Sequence, residues 1–554
     1  MAKKRPKLRF IAISGTTDVT ENLYVYEYGN DMIVVDCGVG FPDADMLGVD
    51  LVIPDFTYIR QNKNKLRGIV ITHGHEDHLG AVPFLLREVD APVFATKLTA
   101  GFIEDKLVDY EFRGKKVNVF DPEKDTVDLG AFHVSPFRVS HSVPDAVGLC
   151  INTPEGNIFH VPDYKFDWTP VDGRPFDIQR AVMLASKGAL ALASDSLGST
   201  HPGHTESEKK IEKILDIIIN NASQRIFFTT ISSNISRMQQ AINIAAKTGR
   251  QVAFAGRSVE QKAKTARDLG YLHYPNEIEI PLKKAMSKKK DEVMIIISGS
   301  YGQSGSALYR ASTGEHDLLE VESGDTVIFS GDPAPPGTKA NVDTLVDHLL
   351  QIGADVHYYD MQEDLHVSGH GSQEDIRLLF GLIRPKYFIP IGGTVRHMRG
   401  YSAMAQEMGA KASDVFELPP GGIVEFSNGV GQKAGAVSVH DVLVDGTEIG
   451  DVGKVVLRDR HILSQEGIVV SIVQIAKSTN KLDGAVEIVS RGFVFERKRK
   501  DLLNLAAKHL EKELGGRKYV NQQMVRDEAP RILGKFFFKE TGRQPMIVPV
   551  VIET

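Results

Sequence analysis

Cysteine is nearly absent: Cys37 and Cys150 are the only two in 554 residues. That excludes a disulfide framework for a chain of this size and fits a reducing compartment. No uninterrupted apolar run approaches the ~20 residues that span a bilayer. The opening stretch MAKKRPKLRF carries basic residues with no apolar segment behind them, so no export signal is read there and no membrane partner is expected. The cytoplasm is the expected location. Low-complexity tracts are missing as well, which confines expected disorder to the ends. A basic excess is also lacking, since the net charge is −7 and the isoelectric point is near 6.2. Any nucleic-acid contact is therefore local rather than spread over the whole surface. The basic runs KKAMSKKK (residues 283–290) and RKRK (residues 497–500) read first as solvated faces.

What the chain does have is the composition of a globular protein, 42% hydrophobic and 25% charged. Its length exceeds what one hydrophobic core supports, so several domains are expected. DMIVVDCG, GIVITHG, APVFAT and GNIFHVPD read as strands and AVPFLLREV as a helix, an alternation that predicts a layered α/β core over residues 1–208. A second α/β unit over 209–355 has the buried-strand runs RIFFTTIS, QVAFAG, EVMIIISGS and DTVIFSGD. ADVHYY and KYFIPIGG then resume strand character, so residues 356–447 are expected to rejoin and complete the first unit. A linker over 448–460 precedes a small C-terminal α/β domain over 461–554. That domain holds the strand GIVVSIVQIA, a lysine-rich helix over 501–514 and the apolar end MIVPVVI.

The most specific signal is THGHEDHLG, which places His73, His75, Asp77 and His78 between a strand and a helix. In an extended turn His73 and His75 share one direction by the period of two, while Asp77 and His78 enter the helix and face another. One short loop can thus supply two neighbouring metals. Imidazole with carboxylate suits Zn²⁺ or Mn²⁺, and two ions about 3.5–4 Å apart can activate a water and clamp an in-line displacement at phosphorus. A merely polar surface loop would not concentrate three histidines and two acids in six residues.

The spacing HxHxDH is the signature of the metallo-β-lactamase fold, and further elements of that pattern follow in order. Asp36 resembles the first-motif carboxylate, which orients a ligand. His141 resembles the third ligand of the first metal, and Asp163 the bridging carboxylate. SDSLGSTHPGHTESE resembles the opening of the β-CASP insert, with Asp195 as its acid. FFTTISSNISRMQQ, HVSGHGSQED, MLGVDLVIPD, VGKVVLRDR and RQPMIVPVVIE extend the likeness over essentially the whole chain, to the RNase J family.

The resemblance implies a four-layered αβ/βα metallo-β-lactamase core with an inserted β-CASP domain and a small C-terminal α/β domain. It implies a metal-dependent ribonuclease, a 5′–3′ exonuclease with some endonuclease action, in RNA maturation and decay. Asp36, Asp77, Asp195 and His370 would carry the chemistry. Ser233, His366, Val367, Ser368, Gly369 and His370 would grip the terminal phosphate of a 5′-monophosphate end, for which Ser368 and the backbone N–H groups around Gly369 and Gly371 offer an anion nest. Gly48, Asp50 and Asp445 fall where some relatives hold a structural Ca²⁺, and a plain turn is the other reading. A homodimer or homotetramer through the C-terminal domain, or a heteromer with another RNase J subunit, is implied as well.

The pattern breaks after the strand KYFIP. Relatives continue V-H-G-E, whereas this chain reads IGGTVRH, with Gly392 at the histidine position and Thr394 at the glutamate position. Glycine has no side chain to ligate. The expectation is one Zn²⁺ firmly held by His73, His75 and His141, and a loose second site of Asp77, His78 and Asp163. His397 could substitute only if its loop refolds. SGTTDVT, Pro162 and SGSYGQSG also depart from the family near the active site. Two functions therefore stand: an active ribonuclease, or a catalytically weakened RNA-binding subunit of a heteromeric complex.

Overall fold

The structure, a computed structural model, describes residues 5–554 except 44, 113, 332–337, 363–364, 447, 451–452 and 494–495. It separates into two compact units, Met1–Phe41 with Leu51–Val442, and Pro42–Asp50 with Leu443–Thr554.

In the larger unit two sheets lie face to face. The first runs in the order Val430–Ala436, Gly422–Ser427, Leu8–Ala12, Tyr24–Tyr28, Asp31–Val35, Leu66–Val70, Val93–Ala95, Asn118–Val119. The second runs Tyr387–Ile391, Ala191–Asp195, Gly156–Val161, Val147–Thr153, Phe132–Arg138, Val127–Leu129. Phe10, Tyr24, Tyr26 and Ile33 from one sheet meet Phe132, Leu149, Ile151 and Ala193 from the other in a single core. The helices Val82–Glu88 and Lys97–Asp109 lie with the first sheet. Ile178–Ala185, Gln373–Ile383 and Val395–Glu407 cover the outer face of the second. These are the four layers of a metallo-β-lactamase core, each sheet burying one face on the other and one under helices.

The chain leaves this core after Asp195 and returns beside it. In the insert the strands Gln251–Ala255, Val293–Ile297, Ile226–Thr229, Thr326–Phe329 and Asp355–His357 pair in parallel throughout. Helices cover a parallel sheet on both faces, so its strands are apolar without alternation. Every residue of VMIII in Val293–Ile297 is buried, as is every residue of IFFT in Ile226–Thr229. After the insert, Tyr387–Ile391 joins the second sheet parallel to Ala191–Asp195, with Asp195 opposite Ile391. That register brings Gly392 next to Asp195.

In the smaller unit the strand Ile468–Ala476 pairs with Lys481–Leu482, Glu487–Arg491 and Met546–Glu553. The helices Glu496–Gly515 and Gln522–Thr541 close its core around Val469, Val473, Leu510, Leu533 and Phe537. The segment 448–460, expected to be a linker, is corrected in part. A helix runs through Lys454–Glu466. Its start lies just after Gly446, Gly450 and Gly453 and its sequence KVVLRDRHILSQE is largely polar, so composition alone reads as a connector.

Candidate metal centre

The strand Asp31–Val35 runs parallel to Leu66–Val70, with Val35 opposite Val70. Both sheet strands therefore end together, and the motif loop emerges beside Asp36. Asp36 is fully buried and held at φ +60°. Its carboxylate accepts the Thr72 N–H at 2.8 Å and the Thr72 hydroxyl at 2.9–3.0 Å. It also accepts His78 Nδ1–H at 2.8 Å. Both oxygens are thus engaged by protein, and the bond fixes the His78 ring with Nε2 facing the site. Asp36 thereby orients the His78 ring.

His73 Nε2 and His141 Nε2 are buried with no hydrogen-bond partner among the described residues. Each lies 3.5 Å from Asp163 Oδ2. Ligands about 2.0–2.1 Å from a tetrahedral Zn²⁺ stand roughly 3.4 Å from one another, so these atoms are spaced to share an ion. The ligand atoms of His73, His75 and His141 lie within 4.8 Å of one another. His141 Nδ1–H donates to the Gly369 carbonyl at 2.8 Å, which turns Nε2 inward. Burial holds His75 down at about 3, assisted by His73. Burial likewise keeps His141 well below its ordinary value. Both imidazoles are neutral, the form that ligates. Asp163 is held well below the usual carboxylate range: burial acts to raise it, and the facing His78 and His370 outweigh that.

A second cluster of side chains lies across Asp163. His78 Nε2 lies 3.4 Å from Asp163 Oδ1 and 3.5 Å from Asp77 Oδ2, so three groups converge there. Gly392 sits at φ +64°, and a Cβ built on it would meet only Asp195 Oδ1, at 3.6 Å. The Asn22 amide nitrogen lies 3.1 Å from His78 Nε2. Its orientation is set by Tyr24, whose hydroxyl donates to Asn22 Oδ1 at 2.7 Å. The two departing segments pack on each other: Gly392 N–H donates to the Gly15 carbonyl, and Thr17 bridges to Thr394. Among the described residues His397 joins no metal-ligand group. Its Nδ1 accepts the Thr394 N–H at 3.2 Å at the start of the helix Val395–Glu407.

His370 stands over the cluster. Its Nδ1–H donates to Asp195 Oδ2 at 2.7 Å, and its Nε2 lies 3.8 Å from Asp163 Oδ2. Burial raises the Asp195 carboxyl. Several groups of the expected phosphate segment have protein partners. Ser368 Oγ accepts the His370 N–H at 3.1 Å, and Gly371 N–H is engaged by the Tyr164 carbonyl at 2.6 Å, which leaves fewer N–H groups for an anion than the glycine pattern implied. Val367 is buried and His366 lies near Tyr359, ring centroids 6.5 Å apart. Ser233, 1% exposed, has its hydroxyl 2.6 Å from His75 Nδ1.

At the expected calcium position, Arg460 pairs with Asp445 and donates to the Leu47 carbonyl at 3.0 Å. A Cβ on Gly48 would lie 2.7 Å from its Nη1, and Asp50 accepts the Gly446 N–H at 2.8 Å. A guanidinium supplies the positive charge there. Asn22, Ser142, whose hydroxyl is 2.7 Å from His75 Nε2, and Glu76 are site residues that sequence reasoning passed over. Asn22 and Ser142 carry no local signal, whereas Glu76 stands inside the motif itself.

Two facing sheets, a histidine-aspartate cluster at their strand ends and an inserted parallel unit define a metal-binding hydrolase of the metallo-β-lactamase class. The model of the Metallo-beta-lactamase superfamily matches residues 16–217, that of the Ribonuclease J beta-CASP domain 223–349, and that of the Ribonuclease J C-terminal domain 455–554. Ribonuclease J2 of Bacillus subtilis strain 168 is 36% identical over 555 residues, 100% of this chain and 99% of that protein. Ribonuclease J 1 of Streptococcus pyogenes serotype M3 is 36% identical over 545 residues, 98% and 97% of the two chains. Ribonuclease J 2 of Staphylococcus aureus strain NCTC 8325 is 33% identical over 555 residues. The chain belongs to the ribonuclease J family. A protein of unknown function from Enterococcus faecalis V583, whose crystal structure is solved, shares the fold with TM-score 0.52 and 16% identity over 76% of this chain and all of that one.

Proposed function

We propose that this chain is a metal-dependent ribonuclease that hydrolyses RNA phosphodiesters, working from a 5′-monophosphate end and cutting internally as a second mode, in RNA maturation and decay. The observation that carries this reading is the cluster of His73, His75, His141 and Asp163 with the Asp195–His370 pair above it. The donor set of imidazoles and a carboxylate suits Zn²⁺, with Mn²⁺ the alternative. When bound, the metal activates water and offsets negative charge at the phosphoryl group.

The chain's own groups do the rest. Asp36 and Gly369 hold His78 and His141 in ligating orientation. Asp195 accepts the His370 Nδ1–H and turns Nε2 toward Asp163, from where the doubly protonated ring would give its Nε2 proton to the leaving oxygen and revert to the neutral Nδ1–H form. Ser368 remains able to donate its hydroxyl to a terminal phosphate. Gly48, Asp50 and Asp445 stay a candidate position for a structural Ca²⁺, beside which Arg460 pairs with Asp445. No helix among the described residues is long and apolar enough to cross a membrane, and the cytoplasm is the proposed location. A homodimer or homotetramer through the C-terminal domain is the proposed assembly.

Gly392 favours a second reading, a weakened RNA-binding subunit in a heteromer with another RNase J chain. Degradation of 5′-monophosphorylated against 5′-triphosphorylated RNA by the purified protein tests the first. A preference for the monophosphate that narrows in Ser368→Ala supports it. Metal-loaded protein that binds both RNAs and degrades neither supports the second.

A further inference from the structure

Glu76 lies between the ligand residues His75 and Asp77 and opens the short helix Glu76–Leu79. Among the described residues it joins no metal-ligand group. One carboxylate oxygen pairs with Lys106 on the core helix Lys97–Asp109. The other lies 3.2 Å from Lys262 Nζ, on the helix Arg257–Asp268 of the inserted unit. Lys262 is 7% exposed, and its ammonium sits 4.3 Å from the centre of the Phe102 ring. Phe102 in turn packs under Gly74, where a Cβ would meet its ring at 2.8 Å. The two helices are also joined by Thr265 to Asp105 at 2.5 Å and by Leu269 and Thr265 against Gly101.

The insert reaches the motif loop a second time through Ser233, whose hydroxyl meets His75 Nδ1 at 2.6 Å. Its two contacts thus fall on consecutive residues, one a ligand and one the neighbour of two ligands. We propose that Glu76, clamped by Lys106 and Lys262, is a positioning residue that couples the placement of the inserted domain to the geometry of the metal loop. A strand held between core and insert then fixes both contacts and, through them, His75 and Asp77. Glu76 is half-buried and keeps Lys106 when Lys262 is replaced, so what the replacement removes is the tie between the metal loop and the insert rather than the charge balance of the carboxylate. The coupling rests on RNA being the ligand that bridges core and insert.

The test measures release of Zn²⁺ from the full-length holoprotein to a chromogenic chelator, with and without a 5′-monophosphorylated 2′-O-methyl RNA that resists cleavage. In the wild type, RNA slows release. Lys262→Met releases its ion about tenfold faster without RNA, and RNA no longer slows it, although RNA binding measured by fluorescence anisotropy persists. Lys262→Arg restores both behaviours. Should Lys262→Met fail to fold, Lys262→Gln, with a shorter polar head, carries the same comparison. Wild-type release in the Lys262 variant, or a full RNA response in it, overturns the coupling. A wild type that binds no RNA instead overturns the ribonuclease reading, and the release rates without RNA then decide the coupling alone.

Discussion

Asp163 divides its two oxygens between the halves of the site, Oδ2 facing His73 and His141 and Oδ1 facing His78. On the proposed reading the first half would lack only water, whereas in the second Gly392 offers no side chain and the Asn22 amide lies against His78 Nε2. Elemental analysis after gentle dialysis is therefore expected to give nearer one ion per chain than two; two firmly held ions would mean that another group replaces the missing histidine. Gly392→His should raise occupancy of the second half, since the space toward Asp195 is open. It should also lower thermal stability by about 1–2 kcal/mol, because a β-carbon is placed in the left-handed region. Metal content and melting temperature of the one variant check both. Occupancy unchanged with stability unchanged would show that neither the vacancy nor the strain exists.

Between the elements, a buried charge network ties the expected phosphate segment to the insert. Lys165 Nζ donates to the Ser368 carbonyl at 3.0 Å and pairs with Glu208 at 3.2 Å. Glu208 in turn pairs at 2.6 Å with Arg237 on the helix Ile235–Lys247. Burial alone would raise Glu208, but the two cations hold it down at about 2 against an ordinary 4.5. A carboxyl depressed on folding stabilises fully above its unfolded value and loses that contribution as pH falls toward the folded one. Glu208→Gln is thus expected to cost about 3–5 kcal/mol at pH 7, because it leaves the buried Arg237 without its carboxylate and Lys165 with only Asp167, 4.0 Å away. The gap to wild type should shrink once the pH drops below about 4.5. Chemical denaturation of both proteins across that range checks the sign, and a gap independent of pH would contradict it. None of this network was legible in the sequence, because its members stand far apart in the chain and each reads alone as a surface charge.

Over the whole molecule, legibility followed the range of the interactions. HxHxDH declares itself because its ligands lie within one loop, and the insert declares itself because a parallel sheet writes unbroken apolar strands such as VMIII. The return of the chain to the first unit, expected from ADVHYY onward, comes later: Asp355–His357 still pairs with Thr326–Phe329 in the insert, and Tyr387–Ile391 is the strand that rejoins. Polar elements were not so readable: the helix Lys454–Glu466 passed for a linker, and Arg460 at Asp445 is a partnership no spacing announces. Ser233 likewise had to be placed by the fold before its contact with His75 was visible. The central claim is that this one cluster hydrolyses RNA. Its most direct test is mononucleotide release from 5′-monophosphorylated single-stranded RNA by metal-loaded wild type, His75→Ala and Asp77→Ala, purified in parallel. The expected result is release by the wild type that both substitutions reduce by more than about a hundredfold, with circular dichroism unchanged. Release at the wild-type rate by either variant would contradict the assignment of the site.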